Sequence, residues 1–195
     1  MALSLYTATA LLILDSEGNR LYARYHTTPG EKAGGAHDEE EAPLASLKQQ
    51  RAFEKSLFDK TYKVQQDILL FQSQLVVYKQ LADVVIYLVG GLDENEIVLF
   101  DTLEGFKDAL EKLLKFQVDK KTVIENYDLV AIAADETLDN GIILETESSV
   151  IAGRTSRAPT GEVGGLNGIE LTEKGLFSAF QFAKGKLAER LQQGL

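Results

Sequence analysis

Between Asp83 and Gly91 the chain reads DVVIYLVGG, and Val84 to Val89 are apolar with no polar residue in the alternate places. A strand with one wet face alternates, whereas an unbroken β-branched and aromatic run marks a strand covered on both sides. This stretch is predicted to be the centre of a sheet, ended by Gly90-Gly91. Before it, Ile68 to Phe71 and Leu75 to Leu81 read as two more strands, with reversals at Gln72-Ser73-Gln74 and Ala82-Asp83. Such short connections force antiparallel neighbours.

At the start of the chain, Leu3 to Leu14, the polar turn 15–19 and Arg20 to His26 form an opening hairpin. Leu21, Ala23 and Tyr25 alternate with Arg20, Tyr22 and Arg24, so the second strand is expected at an edge with one solvated face. Thr27 to Ala45 carries Pro29-Gly30, Gly34-Gly35 and an acidic run and is expected to be a loop, flexible over 28–45. Phe53, Leu57, Phe58 and Tyr62 then recur at helical spacing, with Ser46 placed to begin the helix.

After the sheet, Asp93 and Glu96 have the spacing of a capping box, opening a helix with Leu99, Leu103, Phe106, Leu110 and Leu113 on one stripe. A third helix is expected through Val123, Tyr127, Val130, Ala134 and Leu138, closed by Asn140-Gly141. The domain is expected to span 1–152, followed by a linker over 153–168. An amphipathic C-terminal helix over 169–193 carries Leu176, Phe180, Leu187 and Leu191. Gly175 and Gly185 weaken that helix by about 1 kcal/mol each relative to Ala, so it needs a surface to lie on.

With 195 residues and 45% hydrophobic content the chain can bury a sizeable core. It has no cysteine, which rules out disulfides and thiolate chemistry. Two histidines, His26 and His37, leave little for a metal centre or a triad, and both read as exposed polar residues. A net charge of -10 argues against broad contact with nucleic acid or anionic lipid and favours protein partners. Leu3 to Leu14 is too short to span a bilayer, so a cytoplasmic location is expected.

No phosphate-binding loop is present, and Asp93, Glu94 and Glu96 beside Gly90-Gly91 would repel phosphate. Asp135-Glu136 reads as a solvated helix face, and Lys112, Lys115, Lys120 and Lys121 as favourable charge near helix ends. No catalytic, cofactor-binding or metal-binding residue can be nominated, and an enzyme is not expected. Lys174, Lys184, Lys186 and Arg190 could bring the C-terminal helix to anionic headgroups, but Glu173 and Glu189 oppose it. What the chain offers is apolar surface. Phe71, Leu75, Val77, Leu92 and Ile97 cannot all lie inside a sheet with a single helix over one face, so each either completes the core or belongs to a partner interface.

The ordered segments YTATALLILDSEGNRLYARYH, LVVYKQLADVVIYLVGG and ENYDLVAIAADETLDNGIILET resemble the zeta subunits of coatomer, the coat of COPI vesicles, and more broadly the small (sigma) chains of clathrin adaptors. The resemblance covers about Leu3 to Thr155. It implies an α+β, longin-like three-layer domain: a five-stranded, mainly antiparallel sheet in the order 2-1-5-4-3, one helix on one face and two on the other. It also implies a non-enzymatic coat subunit whose direct partner is the large gamma subunit, with the remaining coatomer subunits and an Arf GTPase reached through the assembled coat. Such a subunit works at the cytosolic face of Golgi membranes in retrograde Golgi-to-ER and intra-Golgi transport, without nucleic acid or a small-molecule substrate. The alternative is a sigma-type chain contributing to dileucine signal recognition.

Overall fold

The computed structural model describes residues 7–26, 44, 46–62, 64, 66–115 and 117–156. The chain divides into two units, Met1–Arg157 and Ala158–Leu195, and every described residue lies in the first. The expected loop over 28–45, apart from Leu44, the linker beyond Ser156, the helix over 169–193 and His37 lie outside the described residues.

The opening hairpin is β1 (Ala8–Asp15) and β2 (Arg20–Tyr25). Asp15 holds the turn between them, its Oδ1 accepting the Glu17 and Asn19 amides at 2.9 and 2.8 Å. Helix α1 (Leu47–Thr61) begins at Ser46 in a reciprocal capping box with Gln49. Strands β3 (Ile68–Phe71), β4 (Gln74–Leu81) and β5 (Val84–Gly91) follow as the apolar runs require. The β3–β4 reversal is Gln72-Ser73 alone, both at positive φ, the geometry that matches a two-residue hairpin to strand twist. The five strands lie in the order β2-β1-β5-β4-β3 and every pairing is antiparallel. Strand β5 sits in the middle.

The two faces of β5 explain its unalternating text. Val84, Ile86 and Leu88 join Leu11, Ile13 and Val77 on one side, while Val85, Tyr87 and Val89 join Leu12, Leu14 and Tyr78 on the other. Helix α1 covers the second side with Phe53, Leu57 and Phe58, and Thr61 Oγ1 meets the buried Tyr87 hydroxyl at 2.7 Å. The first side lies under α2 (Glu96–Leu113), whose Leu99, Leu103, Phe106 and Leu110 are fully buried.

Four local expectations are corrected. Helix α2 is capped by Asn95, whose Oδ1 accepts the Ile97 and Val98 amides, so Asp93 belongs to the preceding turn. The expected third helix is broken at Asn126 into α3 (Lys120–Glu125) and α4 (Tyr127–Thr137): Asn126 leaves helical geometry, and its Nδ2 donates to the Thr122 carbonyl. Asn140-Gly141 does not close a helix. It is the positive-φ turn of a small hairpin, β6 (Leu138–Asp139) and β7 (Ile142–Ile143). Helix α5 (Ser148–Thr155) then packs on α2 and α4 with Ile151 fully buried, carrying ordered helix past the expected boundary at residue 152.

Strand β2 is an edge strand, but its alternation is interrupted. The register shifts between Ile13 and Leu14, leaving one extra residue on β2, and a bulge of this kind re-aims the side chains that follow it. Tyr22, expected on the wet face, is buried in the α2-side core. Arg20 turns to α1 and binds Glu54 through Nε and Nη2 at 3.0 and 2.6 Å, and the Tyr25 hydroxyl donates to the same carboxylate at 2.8 Å.

Candidate docking surface

Antiparallel partners share a face. Ile68 pairs with Val77 and Leu70 with Leu75, so Ile68 and Leu70 point to the α2 side of the sheet. Helix α2 packs on β4 and β5. Leu99 lies directly over Gly90, where an added Cβ would also stand 2.9 Å from the Thr7 carbonyl oxygen. The α2-side face of β3 is left open, and Leu70 is 66% exposed and Ile68 41%.

Of the five positions that the sequence offers to core or interface, three are core. Phe71 packs on the Phe53 ring at 5.5 Å between centroids, on the α1 side, while Leu75 and Val77 are buried under α2. They are unavailable to a partner as the fold stands. Leu92, in the β5–α2 turn, and Ile97, in the first turn of α2, are 54% and 65% exposed. Ile68, Leu70 and Val98, the last beside Ile97 and 41% exposed, are further accessible apolar positions among the described residues. A second exposed set, Ile124, Tyr127 and Ile132, lies on α3 and α4, where Tyr127 stacks obliquely on Tyr22.

The surroundings are acidic. Lys79 Nζ binds Asp67 at 2.9 Å and Glu104 at 3.2 Å and lies 4.8 Å from the centre of the Phe100 ring. Burial opposes its charge, but the two carboxylates outweigh it and hold Lys79 above its ordinary pKa. Burial, and then the charge of Asp93, raise the Glu94 carboxyl. Lys107 is pushed up to about 12, chiefly by its bond to Asp108 and then by Glu104.

The remaining candidate groups are structural. Lys120 pairs with Asp15, Lys121 with Glu125, and Lys112 donates to Ser148, so these lysines have partners within the domain. Asp135 pairs with Arg24 across α4 and β2, and Glu136 with Arg154 of α5. His26 is half-buried rather than exposed; burial, then the Arg24 charge, push its imidazole down. Among the described residues, no group of three or more His, Asp or Glu could hold a metal ion, and no helix is long and apolar enough to cross a membrane. A cavity of about 460 Å³ between the β1–β2 turn and α1 is lined by Arg20, Arg51 and Lys55 against Glu17, Glu54 and Asp59, a balance of charge that selects neither sign of ligand.

A five-stranded sheet covered by helices on both faces is an architecture shared with known proteins. A family model described as clathrin adaptor complex small chain matches residues 7–158. A chain in a homology model of the full-length AP-3 complex in a stretched open conformation shares the fold, with a TM-score of 0.54 at 15% identity, covering 76% of this chain and 90% of that one. The similarity is greater to coatomer subunit zeta of Saccharomyces cerevisiae, 47% identical over 100% of this chain and 99% of that protein. Coatomer subunit zeta-1 of Homo sapiens is 35% identical over 94% of this chain and 92% of its own. The chain belongs to the clathrin adaptor small-chain family and, within it, to the coatomer zeta subunits.

Proposed function

We propose that this chain is the small core subunit of the COPI coat, held by the large gamma subunit. It serves retrograde Golgi-to-ER and intra-Golgi transport from the cytosolic face of Golgi membranes, and it does so without catalysis. The observation that carries this reading is the full-length similarity to coatomer subunit zeta of Saccharomyces cerevisiae. The remaining coatomer subunits and an Arf GTPase are then reached through the assembled coat. Leu92 in the β5–α2 turn and Ile97 in the first turn of α2, both exposed, are the apolar centre we assign to the gamma contact, since a lasting interface needs an apolar core inside a polar rim.

Co-expression with the trunk of a coatomer gamma subunit, beside an adaptor large chain as control, tests the reading. A stable equimolar complex with gamma alone is expected. Binding to the adaptor chain alone, or to neither by a folded protein, overturns it.

A further inference from the structure

The outer edge of β3 is unpaired among the described residues. The Tyr78 amide donates to the Asp67 carbonyl at 2.9 Å, which makes Asp67 and Tyr78 a hydrogen-bonded pair. Bonded and non-bonded pairs alternate in an antiparallel ladder, so Leu69 with Val76 and Phe71 with Gln74 are the next bonded pairs. Ile68 and Leu70 therefore turn both their N–H and C=O groups away from β4. Strand β3 is last in the sheet, and among the described residues no strand pairs with its other side.

Exposed edges are ordinarily protected by charge, proline or a bulge. The two edges of this sheet differ in that respect. Strand β2 carries Arg20, Arg24 and a register shift, whereas β3, though only four residues long, reads ILLF with no charge, proline or bulge. The open backbone groups also belong to the same two residues whose side chains lie exposed on the α2-side face.

We propose that β3 accepts an extended, basic-flanked segment of a partner protein as a sixth strand, its alternate apolar side chains lying beside Ile68 and Leu70. Main-chain bonds supply the affinity in such an addition and side-chain pockets the selection. Lys79 already pairs with Asp67 and Glu104, whereas Glu96, on the α2 stripe of Phe100 and Glu104, has no lysine beside it in sequence. It is Glu96 together with the chain's net charge of -10 that favours positive charge at the ends of the segment. A second copy of this chain fits less well, because it brings one net charge of -10 against another. The inference concerns the isolated chain and stands apart from the coat reading.

The probe is a synthetic peptide, Lys-Thr-Val-Thr-Val-Thr-Lys with blocked ends, added to the full chain while amide hydrogen exchange is followed residue by residue. With peptide at about ten times its Kd, exchange at Ile68 and Leu70 is expected to slow about tenfold. A strand bonds its neighbour through alternate residues only, so of two peptides N-methylated on alternate residues, one loses binding and the other keeps it. Leu70→Pro removes an outward amide that no described strand uses; binding is expected to vanish while β4 amides keep their protection. Exchanging the lysines for glutamates weakens binding. No protection at Ile68 and Leu70, indifference to both methylation patterns, or protection that grows with protein concentration in the absence of peptide each overturns the proposal.

Discussion

The backbone of Thr146 occupies the space in which Gly105 would carry a side chain: an added Cβ overlaps the Thr146 carbonyl oxygen and stands 2.8 Å from its carbon. Gly105 is in the middle of α2, where glycine ordinarily costs stability. Here it lets the segment leading into α5 lie directly on α2. Gly105→Ala is expected to destabilise the domain by about 1–3 kcal/mol, the range for an overpacked contact that backbone must yield to. Gly153 in α5 has nothing within 4 Å of an added Cβ, so Gly153→Ala is expected to stabilise by about 0.5–1 kcal/mol. Denaturant unfolding of both variants separates a packing role from ordinary helix propensity.

Glu54 is a buried carboxylate that ties the sheet edge to α1 through Arg20 and Tyr25. Removing one partner of a buried pair leaves the other uncompensated, so Glu54→Ala is expected to cost about 3 kcal/mol, the low end of the range because Arg20 keeps some solvent. Arg20→Met in the same background should recover part of that loss. A double-mutant cycle by urea unfolding gives the coupling, and strict additivity would refute the pairing.

Burial by itself would raise the Asp15 carboxyl. The Lys120 ammonium and the bonds from Asn19 and the Glu17 amide overcome it and bring the carboxyl down to about 2 from an ordinary 3.8. A depressed folded-state value means that the stability Asp15 contributes is complete above about pH 4 and is lost as the pH falls toward 2. The loss is about 2 kcal/mol. Asp15→Asn is expected to be less stable at neutral pH and to flatten the pH dependence between 4 and 2, read from urea midpoints across that interval.

Surface and core separate the five apolar positions in a way that co-purification can read. Leu92→Asp and Ile97→Asp place charge on solvent-exposed sites and are expected to leave the melting temperature within a few degrees while abolishing capture by gamma. Leu75→Asp puts an unpaired carboxylate under α2 and is expected to unfold the domain. Gamma binding that survives both surface variants would move the contact to the set at Ile124, Tyr127 and Ile132.

Local pattern accounts for most of the elements. The unbroken apolar run of β5 implied a strand covered twice, and α1 and α2 cover it. Ser46 and Gln49 formed the cap their spacing allows. Misreadings fall where two local structures share one signature: Asn140-Gly141 suits a helix end or a hairpin turn, and only the pairing of Leu138 with Ile143 selects the turn. Helix α5 went unread because its eight residues carry a short apolar stripe, and Ile151 becomes core only when Gly105 lets the chain approach.

The sequence by itself determined strands β1 to β5, the antiparallel reversals inside each hairpin and the central place of β5, because hydrophobic period and turn residues act over a few positions. Which apolar residues stay accessible was decided by tertiary structure alone. Leu70 and Leu75 read alike in the chain and pair directly across β3 and β4, yet α2 lies over β4 and leaves β3 open, so one is surface and the other core. Burial is a property of what lies above a residue, and the width of a helical layer is set by packing rather than by local pattern.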